Sequence, residues 1–477
     1  MTCLWTSDEL VAAIDGRPIG HGPAEITGIS IDSRTLKPGD AFFAIKGDTM
    51  DGHDFATAAM KAGASVLVVA EGKLPALGRL AVPMIVVDDV LAALEKAGVA
   101  ARRRTRAKII AVTGSVGKTS TKEALRHVLS AVGTVHASDK SFNNHWGVPL
   151  TLARMPADCD YAVFEIGMNH PGEIRPLVRM VKPHVALITL IAAAHLGHFR
   201  NLDEIAQAKA EIFEGLDREG VALLNRDDQR FKMLSKLARQ AHVTTVRSFG
   251  EGEEADYRLL KSKLNADSSS ISANIGDNEV VARIGVPGRH VVQNALAVLG
   301  AADLVGADIA KVALALSTLS AESGRGKRHV LHHGDGPFLL IDESYNANPA
   351  SMRVALELLR AAPLGEGGRR IAVLGDMLEL GTQAPKLHAA LADLVTGAKV
   401  DVALLAGPEM SALRDRLGDN LATEYRADVE QLKPVLLATI RPGDAVMVKS
   451  SKSIGFVKLV DALLHEFSAP KAKQKRA

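Results

Sequence analysis

The sequence predicts an α/β protein made of three units in series, and three observations carry that reading. The chain has 477 residues, more than one ordinary core accommodates. Short apolar runs alternate with helical stretches, which calls for crossover connections and parallel sheets. A glycine turn at 114–117 follows an apolar run and opens a helical pattern. The expected units are a small N-terminal α/β domain over 1–88, a central parallel-sheet domain with a P-loop-like turn over 89–322, and a C-terminal Rossmann-like domain over 323–468. A basic disordered tail, 469–477, is expected to follow.

Taken in order, Thr6-x-x-Glu9 is a capping box that predicts an amphipathic helix at the start, with no basic segment of the kind that opens a signal peptide. Strands are expected at 29–34, 41–47, 66–70 and 84–87, with a helix at 54–62. A helix over 91–104 leads into the glycine turn. The middle unit carries predicted strands at 108–113, 161–166, 185–190 and 221–225, a hairpin turning at Gly276-Asp277-Asn278, and a helix at 291–304. After Ser323-Gly324-Arg325-Gly326 the rhythm restarts, with strands at 338–341, 371–374, 402–405 and 445–448 and helices between, as in a doubly wound sheet.

Apolar residues make up 47% of the chain and charged residues 23%, the balance of a globular protein and not of a disordered one. A net charge of +2 gives no global reason to expect nucleic acid. The run Arg102-Arg103-Arg104-Thr105-Arg106 and the basic residues of 471–476 read as solvated charge. Only Cys3 and Cys159 are present, which argues against a disulfide scaffold and for a reducing compartment. No apolar run is long enough to span a bilayer, and a cytoplasmic location is expected.

The chemistry concentrates first in Thr113-Gly114-Ser115-Val116-Gly117-Lys118-Thr119-Ser120. Glycines let backbone N–H groups close on an anion, and the helix dipole behind them favours its charge. Lys118 would reach terminal phosphates and Thr119 would hold Mg²⁺. The spacing departs from the common pattern, because Val112 stands where the first glycine is expected. Glu165 ends a predicted strand of the same sheet, where a carboxylate can serve Mg²⁺. His195, just past the next strand, reads equally as a ligand and as a hydrogen-bonded core residue. Lys209 edges an apolar helix face, where a lysine ordinarily snorkels to water. Arg325, between two glycines at a domain boundary, is either a hinge-borne phosphate contact or part of a plain linker.

Taken together these residues resemble the Mur ligase family of ATP-dependent amide-bond-forming enzymes. The third unit adds Asp342-Glu343-Ser344-Tyr345-Asn346-Ala347-Asn348-Pro349, Leu374-Gly375-Asp376-Met377-Leu378-Glu379-Leu380-Gly381 and Val448-Lys449-Ser450-Ser451-Lys452-Ser453. Asn143-Asn144 with Gly147-Val148-Pro149 belongs to the same likeness. The resemblance covers the whole chain apart from the basic tail. It implies a first domain that holds a uridine nucleotide, a second that holds ATP and Mg²⁺, and a third that completes the ATP site.

The implied substrates are UDP-MurNAc-tripeptide and D-alanyl-D-alanine, joined through an acyl phosphate; large self-contained domains make a monomer the expectation. The implied substrate contacts are Ser33, Arg34, Lys46, Gly47, Asn143, Asn144, Tyr345, Asn346 and Asn348, with Asp51-Gly52-His53 near the uridine segments. Asn294 falls where the family faces adenine, Arg325 where a linker residue touches phosphate, and Asp342 or Glu343 where an acid contacts the ATP side. Thr119, Glu165, His195 and Lys209 fall at metal positions, with two Mg²⁺ ions and a carbamylated Lys209 implied. Lys118, Glu165, His195 and Lys209 are the implied catalytic set. This chain departs from the family at Glu343 in place of a second aspartate, at Gly197 where many relatives carry glutamate, and at Ala210 after the lysine.

Three rivals remain at this stage, the least expected being a binding protein with a dead nucleotide site, against which Gly117-Lys118-Thr119 and Glu165 speak. Another ligase of the same kind, including a folylpolyglutamate type, would add a single amino acid. A P-loop motor or switch would hydrolyse ATP with no carboxylate acceptor and would need no uridine pocket.

Overall fold

The computed structural model describes residues 3–78, 80–139, 141–193, 196–334 and 336–468. His195 and the basic tail therefore lie outside the described residues. The chain builds three large sheets in sequence order, plus a short antiparallel pair, Trp5–Thr6 with Glu25–Ile26. The capping box forms as expected: Thr6 accepts from the Glu9 N–H, Glu9 returns a bond to the Thr6 N–H, and the helix Ser7–Ile14 follows.

The first sheet runs Arg17–Ile19, Met84–Val87, Val66–Ala70, Asp40–Phe43, Gly28–Ser30, parallel except for its first strand. That antiparallel edge strand carries Pro18, which an edge tolerates because no ladder bond is lost. The strand expected over 29–34 ends at Ser30. Asp32 turns the chain by accepting the Arg34 N–H at 3.0 Å, and its carbonyl accepts from Thr35 and Leu36. The expected helix at 54–62 is shortened to Ala56–Lys61 behind a single tight turn, Gly52–Phe55.

Helix Val90–Arg104 buries Val90, Ala93, Leu94, Ala97 and Ala101 in a core shared with the first sheet and with Leu150 and Ala153 of the middle unit. Asp89 caps its start, one residue before the expected helix.

The middle sheet has nine strands in the order Val135–Ala137, Tyr161–Glu165, Lys108–Thr113, Val185–Ile188, Val221–Asn225, Thr245–Gly250, Tyr257–Leu264, Ser269–Ile275, Asn278–Ile284. It is parallel up to Tyr257–Leu264 and antiparallel beyond. The hairpin turns on two residues, Gly276 and Asp277, so Asn278 opens the return strand instead of sitting in the turn. Gly276 supplies the positive φ (57°) that a two-residue turn needs. Both faces of this sheet are covered, one by helices Lys118–Leu129 and Arg289–Leu304, the other by Ile174–Val181 and Leu202–Ala210.

The third sheet runs Lys327–His333, Gly336–Glu343, Ala445–Lys449, Arg370–Gly375, Val402–Ala406, Ala422–Arg426, with only the first strand antiparallel. Apolar clusters fill both of its faces, as a doubly wound sheet requires. Among the described residues no helix is long and apolar enough to cross a membrane.

Candidate active site

Three parallel strands of the middle sheet bring their carboxyl ends to one place. Glu165 pairs in register with Val112, and Ile188 with Thr113, so the glycine turn, Glu165 and Thr189 stand side by side above the sheet edge. Thr113 donates its hydroxyl to the Ile166 carbonyl at 2.8 Å, tying the turn to the Glu165 strand. Thr189 donates to the Val116 carbonyl at 2.6 Å, and the Ser115 N–H donates to the Leu190 carbonyl at 2.7 Å. Thr189 was not singled out in the sequence, where it falls inside the strand predicted over 185–190; the strand ends at Ile188.

Gly114 has φ of 150°, and a Cβ there would lie 1.9 Å from Thr189 Oγ1. Gly117 has φ of 86°, with Asn294 Oδ1 2.9 Å from where its Cβ would sit. Only glycine fits either position. Helix Lys118–Leu129 begins immediately, with no side chain capping it, so its first N–H groups point into the hollow of the turn. The buried Ser115 Oγ has no partner among the described residues. Uncapped N–H groups and an orphaned hydroxyl are the donor set that a polyphosphate satisfies.

Lys118 Nζ folds back onto the Gly114 carbonyl at 2.7 Å. Burial lowers its pKa, the Glu165 charge opposes that shift, and Arg325 from the interdomain linker adds to it. Thr119 donates to one Glu165 oxygen at 2.7 Å, and Asn143 donates to the other at 2.7 Å, leaving Glu165 fully buried with both oxygens held.

Lys209 is only 1% exposed, where the sequence suggested a snorkelling side chain. Its Nζ has no hydrogen-bond or ion-pair partner among the described residues. Burial, and secondarily the Lys118 charge, lower its pKa well below the ordinary value. An isolated buried amine of this kind is costly to maintain unless an anion or a covalent modification completes it. Among the described residues no three His, Cys, Asp or Glu side chains gather into a metal cage. Thr119 and Glu165 nevertheless form the sparse oxygen set with which Mg²⁺ is commonly held beside phosphates.

The third unit closes over this edge. Arg325 stacks its guanidinium 4.2 Å from the centre of the Tyr345 ring, and Tyr345 donates its hydroxyl to Ser141 at 2.8 Å. Asp342 accepts from the Gly324 N–H at 2.6 Å and from the Ser344 N–H and hydroxyl, so its carboxylate is committed to the linker. Glu343 instead pairs with Lys449 at 2.9 Å, and Lys449 also donates to the Asn346 carbonyl at 3.0 Å. A cleft lies between the units, lined by Ser120, Glu123, His290, Asn294, Glu322 and Arg325 among others. Burial lowers the His290 pKa and, with the Glu123 charge, raises that of Glu322. His290 and Glu322 were not singled out in the sequence, since each stands alone there, whereas Lys449 belongs to the motif at 448–453.

Other expected contacts are placed less directly. Asn348 caps helix Pro349–Ala361 by accepting the Ser351 N–H at 2.9 Å, and Asn144 accepts the Gly147 N–H at 3.0 Å. In the first unit Arg34 is exposed and paired with Asp32, the Lys46 backbone forms an isolated antiparallel bridge with that of Asp51, and the Gly47 N–H donates to the Met50 carbonyl. His53 is buried with both ring nitrogens used: it accepts the Ala70 N–H at 2.9 Å and meets Asp51 at 2.6 Å. Burial alone would raise the Asp51 pKa, but hydrogen bonds from Lys73 and His53 hold it far below the carboxylate range.

Comparison with known proteins agrees with this geometry along the chain. Residues 25–118 match the description "Mur ligase family, catalytic domain", residues 112–302 the "Mur ligase middle domain", and residues 327–452 the "Mur ligase, glutamate ligase domain". A relative in Rickettsia prowazekii, named UDP-N-acetylmuramoyl-tripeptide--D-alanyl-D-alanine ligase, is 32% identical, over 96% of this chain and 99% of its own length. One of the same name in Escherichia coli is 32% identical over 96% of this chain and 98% of its own. The crystal structure of MurF from Acinetobacter baumannii superposes with a TM-score of 0.83 at 30% identity, covering 97% of this chain and 99% of that one. With near-complete coverage in both directions, the chain belongs to the Mur ligase family.

Proposed function

We propose that the chain is an ATP-dependent ligase that joins D-alanyl-D-alanine to the terminal carboxylate of UDP-MurNAc-tripeptide, making the pentapeptide precursor of peptidoglycan. The observation that carries this reading is the convergence of Lys118, Lys209 and Arg325 with the Thr119–Glu165 pair at one glycine turn, in a chain similar throughout to ligases of that name.

A carboxylate is a poor electrophile, and meeting a triphosphate sets two anions against each other. The fixed positive charges of Lys118 and Arg325, with the helix N-terminus behind the turn, offset that repulsion. The tripeptide carboxylate attacks the γ-phosphorus of ATP, ADP leaves, and an acyl phosphate remains. The amine of D-alanyl-D-alanine then adds to the acyl carbon, loses a proton, and phosphate departs as the amide forms. Thr119, Glu165 and, through the oxygens of its carbamate, Lys209 are the described residues that would hold Mg²⁺, which neutralises phosphate charge when bound. Two ions and a carbamylated Lys209 belong to this proposal. Burial that depresses the Lys209 pKa favours the neutral amine, the form that takes up CO₂, and the carbamate would place an anion there.

The division 1–88, 89–322 and 323–468 is part of the same reading, supported by one sheet falling within each range. Ser33, Arg34, Lys46 and Gly47 would serve the uridine nucleotide and Asn294 the adenine. Glu343 would supply the acid on the ATP side, because Asp342 is consumed by the linker. A monomeric enzyme of the reducing cytoplasm accords with two unpaired thiols, Cys3 and Cys159.

A phosphate-release assay with each component omitted in turn tests the reaction. Release should require ATP, UDP-MurNAc-tripeptide and D-alanyl-D-alanine together. Equal stimulation by a single amino acid would assign the chain to a different ligase, and acceptor-independent hydrolysis would favour a motor or switch.

A further inference from the structure

Tyr345 sits where three things meet that belong to different parts of the chain. It follows Gly336–Glu343 in the third sheet, while its hydroxyl donates to Ser141 of the middle unit at 2.8 Å. Two residues along, Asn143 donates its amide to Glu165 Oε1 at 2.7 Å. The intervening backbone is tight: the Asn143 N–H donates to the Ser141 carbonyl at 2.9 Å, and the Asn143 carbonyl accepts the Gly167 N–H at 2.8 Å. Any movement of Ser141 is therefore passed within one short turn to the carboxylate beside Thr119. On its other side the Tyr345 ring lies under the Arg325 guanidinium at 4.2 Å and near the Lys452 ammonium at 5.3 Å. Gly324 makes the approach possible, since a Cβ there would lie 2.7 Å from Tyr345 Cβ.

We propose that Tyr345 is a positioning residue, which couples the seating of the third unit to the orientation of Glu165 through Ser141 and Asn143 and holds Arg325 over the nucleotide cleft. The physical reason is preorganisation. A guanidinium stacked on a ring has fewer rotamers to lose, and a carboxylate held by two donors needs little reorganisation when charge develops nearby. Glu165 is held by Thr119 whether or not the third unit is seated, whereas the Asn143 bond depends on a loop that Tyr345 anchors from outside. Seating of the third unit thereby completes the second half of the carboxylate's support. The inference rests on the ligase reading for what the arrangement achieves, but the coupling itself concerns only this chain's side chains.

The test uses the full chain with Tyr345→Phe, Ser141→Ala and the double variant. Tyr345→Phe keeps the ring under Arg325 and removes only the hydroxyl, so folding and melting temperature should stay near those of the parent chain. In the ligand-free protein, backbone hydrogen exchange at Asn143 and Gly167 should speed up severalfold in both single variants. In the ligation assay kcat should fall about fivefold, the worth of one neutral hydrogen bond, with KM for ATP within about twofold of the parent value. The double variant should be no worse than the poorer single one, because both remove the same bond. Unchanged exchange at Asn143 and Gly167, or deficits that multiply in the double variant, would overturn the proposal and leave Tyr345 as interface packing. A parent chain that makes no pentapeptide would overturn the ligase reading instead, and the exchange measurement would still decide the coupling.

Discussion

Lys209 shows how one residue reads differently once its surroundings are known. Its depressed pKa means that the unfolded chain binds a proton that the folded chain does not, between the lowered value and the ordinary 10.5. Stability should therefore rise with pH across that window and be least favoured below it, where the folded state must bury a charged amine. Lys209→Met removes the penalty. We expect the ligand-free variant to melt at least about 2 °C higher than the parent at pH 7, with the gain shrinking toward pH 10, and to have lost ligase activity. Calorimetry across pH checks it, and a lower melting temperature at pH 7 would contradict it. In the proposed reaction Lys118 acts more directly. Lys118→Ala should reduce product formation by about a hundredfold or more while the uridine substrate still binds in a titration. Near-normal turnover would remove Lys118 from the charge-neutralising role.

At the scale of elements, the site is built from ends: strand ends, helix starts and the turns between them. The turn at 114–117 is held by neighbours on the next strand, and its two positive-φ glycines leave no room for a side chain. Asn348 illustrates how an element can claim a residue that a family likeness assigns to substrate. Its side chain caps Pro349–Ala361 in a box with Ser351. Asn348→Ala should cost about 1 kcal/mol of stability in denaturant titration, Asn348→Asp little, and both should leave KM for the uridine substrate near the parent value. A raised KM at unchanged stability would instead mark Asn348 as a substrate contact.

At the scale of the molecule, the third unit touches the middle one at separate points. Tyr345 bonds Ser141, and the Gly197 N–H donates to the Glu379 carbonyl at 2.8 Å. Gly197 lets backbone meet backbone here. A Cβ at Gly197 would lie 3.3 Å from that carbonyl, and one at Gly381 only 3.0 Å from Gly197 Cα. Gly197→Val should pry this contact open. We expect a larger radius of gyration in solution scattering and a raised KM for D-alanyl-D-alanine, with the uridine substrate bound as before. An unchanged scattering profile would mean that closure does not depend on this contact.

The sequence by itself determined the fold class and the buried parallel strands, because an apolar run between turn signals has few other ways to satisfy its backbone. Strands 66–70, 84–87, 108–113 and 221–225 have the bounds that the sequence predicts. It also determined the glycine turn, since a strand, two glycines and a helix start are contiguous in the chain. Edge elements were not legible: Lys327–His333 and Ala422–Arg426 are half exposed and mixed in polarity, so no apolar period marks them. Only the tertiary structure decided that Lys209 is buried, that Asp342 serves the linker while Glu343 pairs with Lys449, and that Tyr345 reaches Ser141. Those outcomes depend on which surfaces meet across long separations in sequence, and local patterning carries no information about distance.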